Sequence, residues 1–306
     1  MKAAVIRTGG MGEALANVLL DRAAWTYARL HAGRSHNVEL HEETITQDLL
    51  LDISCMLPEM SVQVFTRRQE ARNGADWQWE WWFQGRQWFG LRVQAKRLKQ
   101  RGKSRRPGYD LYYRTGSSDR RQVDLLIEDA HKTGARAAYA LYNGPDLDIS
   151  QFTWGCGRLA PSPDAFGVSL LPADVARDLA DAKKVDLASV GTRSRPWSCL
   201  TACHPASECK WTSPSDFPVP THPGQYFEDL AWSAAYSYNR ILLQTSHARQ
   251  ADAAPDLAVN LRDVPGLQDG PPPYVARLLN QDLHADADLP LRVGAVTLFR
   301  TPTISL

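Results

Sequence analysis

Asp76, Gln94 and Lys96 are the residues whose types and spacing point most directly to chemistry. The stretch from Asp76 to Phe83 (DWQWEWWF) alternates, with Trp77, Trp79, Trp81 and Phe83 on one side and Asp76, Gln78 and Glu80 on the other. Trp88 to Leu98 (WFGLRVQAKRL) alternates as well, with Phe89, Leu91, Val93 and Ala95 opposed to Arg92, Gln94 and Lys96. A two-residue turn at Gly85–Arg86 would pair Trp79 with Arg92 and mix the two faces. A three-residue loop at 85–87 pairs Trp81 with Leu91 and Trp79 with Val93, and sets Glu80 opposite Arg92, Gln78 opposite Gln94 and Asp76 opposite Lys96. Keeping one face apolar selects the odd-length loop. A carboxylate and an amide carbonyl brought together in this way suit a hard cation, Mg²⁺ or Mn²⁺, with room for water and a phosphate. Such an ion polarises a phosphoryl group and acidifies water, and Lys96 would position that water or stabilise developing charge.

The elements that must position these residues are legible in the periodicity. Residues 13–33 predict a helix from Leu15, Val18, Leu19, Ala23, Tyr27 and Leu30, and residues 41–55 a second from Ile45, Leu49, Leu50 and Ile53. Residues 61–66 predict a strand with one buried side, as do the two strands of the hairpin. Residues 109–114 form a short strand-like or irregular segment, 122–133 a helix capped by Gly134, and 136–142 a strand. The order over 41–143 is helix, strand, strand, strand, helix, strand. Beyond Asp146 the pattern loosens, with helices expected near 173–184 and 226–247 and strands within 289–303.

The net charge of +1 conceals an asymmetry. Between Arg86 and Arg121 twelve Lys and Arg face only Asp110 and Asp119, so that window is +10 and the remainder of the chain −9. A charge run is ordinarily a solvated face. This one begins at the end of the strand bearing Lys96, where a phosphate backbone would need it, so Arg92, Arg97, Lys99, Arg101, Lys103, Arg105 and Arg106 are candidate nucleic-acid contacts.

Asp76, an intervening strand and then Gln94-Ala95-Lys96-Arg97 resemble the PD-(D/E)XK (restriction-endonuclease-like) nuclease superfamily in its Mrr-like branch, which uses a Q-x-K variant. The features EETIT, NGADW and VQAKRL are also similar to an uncharacterised bacterial family, and the resemblance covers about residues 15–145. It implies an α/β fold with an αβββαβ core, a central mixed sheet flanked by helices, and a mixed C-terminal extension. The expected segments are 1–36 (helical), 37–150 (nuclease-like core) and 151–306 (accessory). It further implies a Mg²⁺- or Mn²⁺-dependent endonuclease acting on DNA, in restriction or anti-phage defence. Lys96, Asp76 and Gln94 would be catalytic, and Asp76, Gln94 and either Glu42 or Glu43 of the first core helix would hold metal. Gln94 stands where the superfamily usually has Glu, removing one negative charge.

Bland readings accompany each feature. Asp76 with Lys96, taken alone, is a surface ion pair worth less than about 1 kcal/mol. Glu80 opposite Arg92 reads as a structural pair, and the tryptophan row as core rather than a base-stacking platform. A catalytically decayed nucleic-acid-binding module and a subunit docking a partner, as a homodimer or in a defence complex, stay open beside the enzyme, as does RNA beside DNA. Cys199, Cys203, His204 and Cys209, with His222 further on, lack the usual paired zinc spacing, so structural zinc is not expected. Five cysteines without a framework, no apolar run of membrane length and no apolar leader predict a cytoplasmic protein without a membrane partner.

Overall fold

The computed structural model describes residues 11–57, 61–64, 78–101, 106–114, 119–152, 162–202, 229–246, 264–280, 290 and 292–300, with the backbone alone at 61–64, 101, 202 and 243–246. Helix α1 (Met11–Ser35) buries Leu15, Val18, Leu19, Ala23 and Leu30, and α2 (Glu42–Met56) buries Ile45, Leu49, Leu50 and Ile53. These are the apolar stripes that the 3.6-residue period requires. Strands β1 (Ser61–Val64), β2 (Gln78–Gln84) and β3 (Trp88–Arg97) follow, then helix α3 (Gln122–Lys132) and β6 (Arg136–Tyr142). Gly134, at φ +75°, ends the α3 turn as expected. Between β3 and α3 the basic block forms a small hairpin, β4 (Lys99–Arg101) with β5 (Arg106–Gly108), which no apolar alternation announces.

The later elements are β7 (Val168–Pro172), α4 (Ala173–Asp181), α5 (Leu187–Gly191), β8 (Arg195–Pro196), α6 (Cys199–Ala202), α7 (Leu230–Ser246), β9 (Leu267–Gln268), α8 (Pro273–Leu279) and β10 (Val293–Phe299). They join the same sheet, whose order is β1-β10-β2-β3-β6-β7-β8 with β9 against β3. The protein is thus α/β, with a mixed sheet in which β10 and β2, and β3 and β6, run parallel while the other pairs are antiparallel. The expected boundary at residue 150 does not divide the sheet. The last strand, β10, inserts between β1 and β2, so consecutive core strands β1 and β2 are not neighbours. Among the described residues no helix is long and apolar enough to cross a membrane.

The β2–β3 register is the one the apolar face demanded. Trp81 pairs with Leu91, Trp79 with Val93, Glu80 with Arg92, Gln78 with Gln94 and Gln84 with Trp88. The expected pairs of Trp77 with Ala95 and Asp76 with Lys96 lie outside the described residues.

One expectation fails. Strand β2 has two buried sides, with Gln78 and Glu80 as inaccessible as Phe83, each 0% exposed. Trp79, Trp81, Phe83, Leu91 and Val93 pack with α1, α2 and α7 on the first face. Trp82, Tyr139, Leu141, Val296 and Leu298 pack with α3, α4 and α8 on the second. The physical cause is the parallel β3–α3–β6 connection, which must cross over the sheet and lays a helix on that face. The C-terminal α8 covers more of it. Such a doubly covered strand need not alternate, and Trp82 breaks the alternation toward the second face. Gly90 lies opposite Trp82, and a Cβ there would come within 2.4 Å of the indole ring. Gly90→Ala is therefore expected to destabilise the protein by about 1–3 kcal/mol, the usual cost of overpacking, read from urea unfolding.

Candidate functional site

Strand β3 is central, and its Gln94 and Lys96 face the second side of the sheet near the strand's C-terminal end. Both are largely buried, at 4% and 7% exposed. The cleft at this end, of about 240 Å³, is lined by Glu42, Glu43, Thr46, Gln94, Ala95, Lys96, Lys99, Asp110, Tyr113 and Gln122. It lies off the carboxyl ends of the parallel pair β3 and β6, the usual place for a ligand in an α/β sheet. Two helices begin here, since Glu42 is the first residue of α2 and Gln122 the first of α3. Their partial positive charges add to those of Lys96 and Lys99, against the carboxylates of Glu42, Glu43 and Asp110.

Glu42 is fastened to the strand. Its Oε1 accepts the Arg97 backbone N–H at 2.7 Å, while its backbone carbonyl accepts the Thr46 hydroxyl at 2.7 Å. Thr46 in turn meets the Tyr142 phenol at 2.7 Å. Burial pushes that phenol above its usual pKa, so it stays protonated beside the cleft. The half-buried Glu42 has its Oε2 for a ligand, whereas Glu43 is exposed on the same wall. The Gln94 Oε1 is buried and has no hydrogen-bond partner among the described residues, and the same holds for the Gln122 Oε1. A buried carbonyl left without a donor carries a cost of about 1–3 kcal/mol that a ligand would relieve.

These oxygens suit a hard divalent ion in kind: an amide carbonyl, a carboxylate already oriented by an N–H, and a second carboxylate nearby. No three His, Cys, Asp or Glu side chains among the described residues form a metal-binding group. The set therefore depends on Gln94 and on Asp76, which lies outside the described residues.

The candidate nucleic-acid contacts divide. Arg92 is 1% exposed, so it cannot meet a phosphate backbone and leaves the set. Its Nε lies 3.7 Å from the Glu80 Oε1, an ion pair sealed within the second core. Glu80 also accepts from the Trp82 indole at 2.9 Å and from the Tyr274 phenol of α8. Burial, then the Glu80 charge, pushes that phenol well above its usual pKa and keeps it a donor. Glu80 is thus a structural anchor for α8, as its pairing with Arg92 suggested.

Arg97 donates to the Glu39 carboxylate and the Leu40 carbonyl, both at 2.5 Å, and so braces the α1–α2 connection. Lys99 and Arg106 are exposed. The side chains of Arg101, Lys103 and Arg105 lie outside the described residues, as do Cys203, His204, Cys209 and His222. Cys199 is buried.

A larger cavity of about 510 Å³ adjoins the cleft beyond Lys99. Its Arg34 pairs with Asp146 and its Arg97 with Glu39, so those charges are already answered.

Three lining residues carry no sequence motif: Asp110, Tyr113 and Gln122. The segment 109–114 is irregular, held by Tyr109 N–H to the Val185 carbonyl at 2.9 Å and by Gln122 N–H to the Tyr113 carbonyl at 2.9 Å. Tyr109 and Leu111 point inward, which turns Asp110 and Tyr113 outward. The available signal was Asp110 standing as one of two acids in a +10 window.

A family model described as "Family of unknown function (DUF6615)" matches residues 15–302. No curated protein and no solved structure matches the chain.

Proposed function

We propose, for a chain that belongs to this family of unknown function, that the cleft hydrolyses phosphodiester bonds of DNA with Mg²⁺ or Mn²⁺. The observation that carries the reading is the convergence of Gln94, Lys96 and the Glu42–Glu43 pair in one cleft, although they come from separate elements. The resemblance to the Mrr-like branch of the PD-(D/E)XK nucleases supports it. So does the order α2, β1, β2, β3, α3, β6, interrupted by the small β4–β5 hairpin, with β3 and β6 parallel. A role in restriction or anti-phage defence, and a cytoplasmic setting, belong to the same proposal.

When bound, the divalent ion polarises the phosphoryl group and acidifies a water. The Gln94 carbonyl and the Glu42 Oε2 would hold it, with Asp76 as a further ligand. Lys96, buried on the same wall, would stabilise the charge that develops on the phosphate oxygens, and low exposure keeps its own charge effective. Lys99 and the two helix N-termini draw the phosphate to the mouth.

The test is to incubate the purified full chain with plasmid, duplex and single-stranded DNA in EDTA, Mg²⁺ or Mn²⁺. Cutting is expected with either metal and none in EDTA; no cutting in either metal sinks the enzymatic reading. Salt-sensitive binding without cutting would favour the decayed module, a reading that the neutral Gln94 keeps alive. Glu42→Gln keeps an acceptor for the Arg97 N–H but removes a charge. It is expected to raise the Mg²⁺ needed for half-maximal cutting about ten- to a hundredfold, by metal titration.

A further inference from the structure

We infer that Tyr113 is a nucleobase platform, and that the cleft accepts a nucleotide whose base is unstacked, as in single-stranded DNA. The inference rests on the nuclease reading and names its substrate class. Trp79, Trp81 and Trp82 of the neighbouring strand are unavailable for stacking, each at most 1% exposed. Tyr113, at 46%, is the only aromatic residue among the exposed large hydrophobics of the described chain. It lines the cleft that holds Gln94 and Lys96.

The backbone that carries the ring is fixed on two sides. Its own carbonyl accepts the Gln122 N–H at 2.9 Å, and the next residue, Arg114, bridges to Arg121. The Lys96 Nζ lies 5.4 Å from the ring centroid, within cation–π range. An ammonium on the ring enriches the environment in which an adjoining phosphate is drawn in. A base laid on the exposed part of the ring therefore brings its own phosphate toward Lys96.

Two features select against duplex. In a double helix both faces of each base are covered by neighbours, so the tyrosine gains a partner only by paying for unstacking. The cleft, at about 240 Å³, is too small for the body of a double helix, which would meet only its mouth. Base–aromatic stacking contributes about 1–3 kcal/mol per base and tolerates any sequence.

The experiment compares wild type, Tyr113→Phe and Tyr113→Ala for binding a fluorescein-labelled single-stranded oligodeoxynucleotide and its duplex by anisotropy, in EDTA and in Mg²⁺. Quenching of a 2-aminopurine placed in the single strand reports stacking directly. Tyr113→Ala is expected to weaken single-strand binding about 5- to 150-fold and to abolish the quenching, while Tyr113→Phe stays within about twofold of wild type. Duplex binding should be unchanged in both variants. Because the side chain is exposed, thermal midpoints should coincide, which separates loss of stacking from loss of fold. Wild-type single-strand affinity in Tyr113→Ala, or equal losses in the Phe and Ala variants, overturns the proposal. Metal-dependent cutting that is indifferent to Tyr113 removes this inference and leaves the nuclease; Tyr113-dependent binding without cutting does the reverse.

Discussion

Lys96→Met is expected to lower the rate of metal-dependent DNA cutting by about 10²–10³-fold, with protein stability little changed. The magnitude is that of removing one preorganised donor from a developing anion. Lys96 is only 7% exposed, so its charge acts through little water, whereas Lys99 on the same wall is exposed. Methionine conserves the volume of the stem against Tyr113. Single-turnover cutting in saturating Mg²⁺ measures the chemical step, and urea unfolding checks the fold. Cutting at the wild-type rate would remove Lys96 from the chemistry. A collapse of stability alongside activity would instead make it a structural cation.

The second large effect concerns stability. Arg92→Met is expected to destabilise the protein by about 3–5 kcal/mol, because it strands the Glu80 carboxylate at 0% exposure. The Trp82 indole and the Tyr274 phenol still donate to Glu80, yet neither supplies the positive charge of the guanidinium. Adding Glu80→Gln should recover much of the loss, since a neutral amide no longer needs a counter-charge. Urea midpoints of the two single variants and the double variant form the cycle. If Arg92→Met alone were neutral, the pair would not anchor the second core. The same change bears on function, because a buried Arg92 cannot be a phosphate contact. The salt dependence of DNA binding should therefore not depend on it.

The contrast between Arg92 and Lys96 shows where sequence reasoning ran out. Both occupy one face of β3, two and four residues apart from Gln94 and each other, and both read as polar-face cations. Local alternation correctly set the face and the register, since mixing tryptophans with charges across the hairpin would bury the charges without partners. Alternation says nothing of what covers that face. The α3 crossover and the distant α8 enclose Arg92 and Glu80, whereas the strand's end at Lys96 opens into the cleft.

The sequence by itself determined the elements around Gln94 and Lys96, the three-residue loop and the helix carrying Glu42 and Glu43, because these follow from short-range periodicity and covalent reach. Only the tertiary structure decided that β10 enters between β1 and β2, that both faces are buried, and that Asp110, Tyr113 and Gln122 join the cleft. Those outcomes depend on contacts between residues far apart in the chain. Their net energy comes from area buried between whole elements, which no local pattern encodes.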